Sequence, residues 1–147
     1  MIRVLLDTNV LIDVLQKRQP WFAFSKEIFT AAANQDILGY ITAKQAGDLY
    51  FFACKQLRGE PDIDKKAHTI LNHLFAIFEL IDSRGSDCEM ALLRENGDFE
   101  DAMLIESAVR EKIDCIVTRN GAHFKNAPVA VYDPESFVGI LNKTLEI

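Results

Sequence analysis

Residues 2–6 form a short apolar run rich in branched side chains, the pattern of a buried strand. Asp7-Thr8-Asn9 ends the run, and residues 10–15 carry the helix that follows. Pro20 opens a second helix over 21–34, because a fixed φ and a missing N–H suit a first helical turn. Residues 39–42 predict a second short strand and residues 43–57 a strongly apolar helix. Arg58-Gly59-Glu60-Pro61 then breaks the chain into a loop. Beyond it the pattern predicts a helix over 62–76, a strand over 78–81 and a helix over 86–94 that stops at Asn96-Gly97. Asp98 starts a further helix to about Lys112. A strand over 115–117, a weaker one over 129–131 and a last helix from Pro134 to about Asn142 complete the chain.

Strands separated by helices imply a central parallel sheet with helices on both faces, a three-layer α/β/α domain. In such sheets a site lies beyond the carboxyl ends of the strands, at a topological switch point. Residues just after each strand, or on the first turns of the next helix, are therefore the ones that matter.

The chain has 147 residues, 49% of them hydrophobic, which fits a single domain over 1–147 with a full core. Its net charge of −6 argues against the basic footprint of a duplex-DNA binder. It leaves a nuclease open, since carboxylates held for a metal lower the formal charge until the ion binds. Cys54, Cys88 and Cys115 are odd in number and widely spaced, so neither a zinc site nor a disulfide framework is indicated. Reduced thiols, an opening apolar run too short for a signal peptide and no stretch long enough to span a membrane predict a cytoplasmic protein.

The candidate chemistry lies in the carboxylates. Asp7 directly follows the first buried strand, as a ligand or as the N-cap of the next helix. Asp48 sits mid-helix among apolar neighbours, where aspartate is a poor helix former. Partial burial there needs a cation, a metal or several donors, and Lys44 four residues earlier offers an intrahelical pair instead. Asp98 is a natural N-cap with Asp101 three residues on, and a cap can also orient a metal ligand. Asn120 lies just past another strand, as a site residue or a turn residue. A parallel sheet would bring Asp7, Asp101 and Asn120 together, with Asp48 on a helix packed beside them. Hard cations such as Mg²⁺ and Mn²⁺ want oxygen ligation of this kind.

Leu5-Leu6-Asp7-Thr8-Asn9-Val10-Leu11-Ile12 resembles the opening motif of PIN domains. Asp98-Phe99-Glu100-Asp101-Ala102, an apolar helix and then Ile116-Val117-Thr118-Arg119-Asn120 are similar to their third and fourth motifs, and Phe124 also fits. The set covers nearly the whole chain in order and resembles the branch that includes VapC-type toxins. The resemblance implies a metal-dependent ribonuclease in which Asp7, Asp48 and Asp101 ligate Mg²⁺ or Mn²⁺ and carry catalysis, with Asp98 and Asn120 as further ligands. Asp48 stands where many members have glutamate, Asn120 where many have aspartate, and His123 where another aspartate is common. Thr8, Asn9 and Thr118 would orient the ligands or the scissile phosphate. Arg119 would contact phosphate, or is a surface arginine at a strand end. The partners implied are RNA, an antitoxin protein and a second copy of the chain in a homodimer.

Asn120 and His123 also support an alternative, a PIN fold retained as a binding or regulatory module with a crippled metal site. A phosphatase or phospho-acceptor reading of Asp7 lacks a lysine after a later strand, where Thr118-Arg119 stands. His68 and His73 share a helix but not metal-ligand spacing. Trp21, Phe22, Phe24 and Phe29 crowd the second helix, as core, dimer contacts or bases' stacking partners. Lys17-Arg18 beside that helix is a solvated turn or a guide for the RNA backbone.

Overall fold

The computed structural model describes residues 1–95 and 98–145. Five parallel strands, β1 (Arg3–Leu6), β2 (Leu38–Thr42), β3 (Glu79–Ile81), β4 (Cys115–Val117) and β5 (Ala130–Tyr132), lie in the order β3-β2-β1-β4-β5. The connecting helices are α1 (Thr8–Leu15), α2 (Phe22–Ala33), α3 (Ala43–Gln56), α4 (Ile63–Ile77), α5 (Gly85–Leu92), α6 (Phe99–Arg110) and α7 (Pro134–Leu145). A short 3₁₀ turn, η1 (Gly121–Phe124), follows β4. The chain leaves β1 towards β2 on one side and later returns to place β4 on the other. The β1/β4 boundary is therefore the topological switch point of the sheet.

Alternation along the strands splits the core in two. Val4 and Leu6 of β1, with Cys115 and Val117 of β4, face a cluster built from α1, α2, α3, α4 and α7, including Val10, Ile28, Leu49, Leu74 and Phe137. Leu5 and Ile116 face the opposite layer, against Leu104, Ile105 and Ala108 of α6 and Phe124 of η1. This is the three-layer arrangement that the sequence predicts. A glycine is required at position 39 of β2, because a Cβ there would stand 2.6 Å from the Phe78 ring. That close approach lets Phe78 pack edge-on against Phe29, centroids 4.9 Å apart.

The predicted elements shift by a few residues at their ends. The first helix begins two residues early, at Thr8, because the Asp7 carboxylate caps it. The last strand lies one residue later than predicted, and the last helix runs on to Leu145. The break at 58–61 is the turn between α3 and α4, where Gly59 has φ +91°, a conformation that favours glycine. The predicted helix stop at Asn96-Gly97 lies outside the described residues. Among those described, no helix is long and apolar enough to cross a membrane.

Candidate metal centre

The carboxyl ends of β1 and β4 are tied together by a bond from the Asp7 N–H to the Val117 carbonyl, 2.9 Å. The Asp7 side chain is buried and accepts three hydrogen bonds, from Thr8 N (2.7 Å), Asn9 Nδ2 (3.1 Å) and Thr118 Oγ1 (2.7 Å). Burial pushes its carboxyl above the usual range despite the bonds from Thr118 and Thr8, and the charge of nearby Asp98 adds to the rise. Thr8, Asn9 and Thr118 thus stand where they orient this carboxylate.

Asp98 caps α6, its Oδ1 accepting from Asp101 N at 2.9 Å. Asp101, one turn into the helix, is buried, and its Oδ2 meets His123 Nδ1 of η1 at 2.8 Å. Burial raises the Asp101 carboxyl to about 6, helped by the charge of Asp7 and opposed by the His123 hydrogen bond. Ligand atoms of Asp98, Asp101 and His123 all lie within 4.8 Å of one another. Asp7, Thr8, Lys44, Asp48, Glu100 and Asp101 are among the residues lining one cleft.

Asp48 reaches that cleft but is not buried as its neighbours predict. Its side chain is 46% exposed and pairs with Lys44 Nζ at 2.5 Å, the intrahelical pair weighed from the sequence. The reason is the phase of α3, which buries Gln45, Leu49 and Ala53 and leaves position 48 on the rim. Lys44 also contacts Glu100 at 3.1 Å. Asn120 does not line the cleft; it is exposed at the start of η1, with its N–H donated to Thr118 Oγ1 at 3.0 Å. Arg119 turns away towards α1. Its guanidinium grips both oxygens of the fully buried Asp13, at 2.6 and 3.2 Å, and stacks 3.9 Å over the Trp21 ring.

Gln45 escaped the sequence reading. Its buried amide donates to the Leu6 carbonyl (2.7 Å) and Thr8 Oγ1 (3.2 Å), and accepts from Thr42 N (2.8 Å), fixing α3 to the end of β1. The Thr42-x-x-Gln45 spacing is a capping box, the one signal that could have found it. His68 and His73 are exposed on α4, far in sequence and element from the cleft.

The carboxylates of Asp7 at the start of α1, Asp48 on α3, and Asp98 and Asp101 at the start of α6 are oxygen donors of the kind a divalent cation takes. No curated protein sequence matches the chain. Solved structures do. A VapBC2 structure from Rickettsia felis, bound to a promoter DNA fragment, is 17% identical with TM-score 0.61, covering 90% of this chain and 98% of that one. A toxin-antitoxin complex from Klebsiella pneumoniae is 20% identical with TM-score 0.63, covering 89% and 97%. FitAcB from Neisseria gonorrhoeae is 19% identical with TM-score 0.66, covering 90% and 98%. At these identities the likeness speaks for the fold. The PIN domain family description matches residues 3–122, and with that match the chain belongs to the PIN domain family.

Proposed function

We propose that this protein is a Mg²⁺- or Mn²⁺-dependent endoribonuclease, the toxin of a toxin–antitoxin pair. The observation that carries the reading is the placing of Asp7 and Asp101, two buried carboxylates from different elements, in one cleft beyond the carboxyl ends of β1 and β2, each binding its proton more tightly than a free aspartate. Gathering like charges without a cation is unfavourable, and a divalent ion relieves it. Asp7, Asp101 and Asp98 would hold that ion, with Asp48 joining on release from Lys44. A bound ion supplies a lowered pKa for water and offsets charge on the phosphorane-like transition state. Asp7 is held in place by Thr8, Asn9 and Thr118, so its oxygens are fixed before substrate arrives. Lys44, which lines the cleft, is a side-chain cation within reach of a phosphate bound there.

The toxin reading draws on the Klebsiella toxin-antitoxin complex and the VapBC2 structure, and it brings an antitoxin partner and a cytoplasmic setting with it. A homodimer and a single domain over the whole chain belong to the same proposal. The alternative, a PIN fold serving as a binding or regulatory module, is favoured by the Lys44–Asp48 pair, which neutralises one expected ligand, and by the position of Asn120 outside the cleft.

The test is cleavage of single-stranded RNA by the purified chain with Mn²⁺, with Mg²⁺ and with chelator, alongside Asp101→Asn. Cleavage that needs metal and disappears in the variant supports the nuclease. No cleavage with either ion by well-folded protein supports the module.

A further inference from the structure

We propose that His123, together with Asp98 and Asp101, forms a mixed nitrogen–oxygen ligand set that selects a first-row transition ion, such as Mn²⁺, over Mg²⁺. The inference rests on the metal reading above and deepens it by naming the class of ion.

Three side chains from two elements supply the donors. Asp98 and Asp101 come from the start of α6, and His123 comes from η1, after the intervening strand β4. Asp101 Oδ2 and His123 Nδ1 stand 2.8 Å apart. That distance is the hydrogen bond the two atoms make, and an ion that took both as ligands would replace its proton. Asp98 commits one oxygen, Oδ1, to capping Asp101 N. Asp98 and Asp101 supply carboxylate oxygens alongside Asp7, and the imidazole adds a nitrogen donor without further charge.

The fold holds His123 in place. Its own N–H bonds to the Asn120 carbonyl at 2.9 Å, and the next residue, Phe124, is buried in the core against α6. The backbone of His123 is thereby anchored, and its ring, 46% exposed, is held beside α6 by its contact with Asp101 Oδ2.

The donor type decides the ion. Mg²⁺ favours oxygen ligands and retains its waters, whereas imidazole suits transition ions, whose affinity for such sites rises along the first row. A carboxylate at position 123 would favour Mg²⁺; a histidine shifts the balance away from it.

The test uses the full chain freed of metal, loaded with Mn²⁺ and examined by pulsed electron paramagnetic resonance for coupling to a directly bound ¹⁴N. Competition with Mg²⁺ then gives the ratio of the two affinities. His123→Asp and His123→Asn are compared with the parent, with folding checked by circular dichroism. The expected result is imidazole coupling in the parent and none in either variant, with the Mn²⁺-to-Mg²⁺ affinity ratio at least tenfold lower in His123→Asp. Mn²⁺ bound without nitrogen coupling, or coupling that survives both substitutions, would overturn the proposal and leave the metal-dependent reading standing. No Mn²⁺ binding by the parent chain would overturn both.

Discussion

Arg119 closes a two-pronged ion pair on Asp13, which is fully buried in α1, while its guanidinium stands 3.9 Å over the Trp21 ring. The residue that the motif offers as a phosphate contact is thus tied to the interior in this conformation. Removing one partner of a buried pair leaves an uncompensated charge, which costs roughly 3–5 kcal/mol. Arg119→Gln should therefore lower stability by that order, and adding Asp13→Asn should recover much of it. Urea unfolding of the two single variants and the double variant checks this. If Arg119→Gln melted like the parent and only weakened RNA binding, its role would be in substrate contact.

The same pair shows where the sequence is legible and where it is not. An aspartate among apolar helical neighbours predicts a buried, partnered carboxylate. That physical argument, applied to Asp48, describes Asp13 instead, which sits in Val10-Leu11-Ile12-Asp13-Val14-Leu15. Composition cannot tell which face of a helix meets the sheet; helical phase and the partner can, and Arg119 is 106 residues away. Asp7 and Asp101 were legible because position after a strand, or at a helix start, already fixes which end of the sheet they reach. The layers rest on short apolar runs spaced by helices, a strong local signal, whereas the strand order β3-β2-β1-β4-β5 depends on which runs pair and leaves no local trace. The Asp87–Arg110 pair, joining α5 to α6 at 2.7 Å with Asp87 buried, left no such trace.

Lys44 and Asp48 form a partly exposed pair on the cleft rim, with side-chain exposures of 33% and 46%. Burial lowers the Lys44 ammonium's pKa, but its bonds to Asp48 and Glu100 outweigh this and keep it charged. Breaking such a pair costs under about 1 kcal/mol in solvent. Lys44→Met should consequently melt within a few degrees of the parent. It should also bind Mn²⁺ more tightly, because Asp48 loses its competing cation. Titration calorimetry reads the affinity; unchanged or weaker binding would show that Asp48 does not reach the ion.

Asp101 makes a prediction about acid. Its carboxyl holds the proton to about pH 6 in the native state, mainly through burial and then the charge of Asp7. The unfolded chain releases the same proton near pH 4, so between these values the native state carries the extra proton and stability falls as pH rises. From this group alone the metal-free fold is favoured most below about pH 4 and is weaker by roughly 3 kcal/mol above pH 6. Asp87 acts in the opposite sense: burial raises its pKa, but hydrogen bonds from Arg110, Arg84 N and Ser107 outweigh it. The clean quantity is the difference between parent and Asp101→Asn, measured by urea unfolding at pH 4.5, 5.5 and 7. The variant should gain on the parent steadily across that range. Equal slopes would mean that Asp101 titrates normally.

Asp7→Asn joins metal, stability and chemistry in one comparison. Asparagine caps a helix about as well as aspartate, so α1 keeps its start. The substitution removes a buried charge that the metal-free fold holds unfavourably, beside Asp98 and Asp101. Without metal, the variant should be as stable as the parent or more so. Mn²⁺ stabilises whichever protein binds it, by mass action, and the variant has lost a ligand, so its gain should be smaller. It should also cut no single-stranded RNA. Thermal melts of both proteins with and without Mn²⁺, with a cleavage assay on the same preparations, read all three effects. A parent with no metal-dependent shift and no cleavage would shift the balance to the binding-module reading. A variant that kept full cleavage would place the activity in another site or in a contaminant.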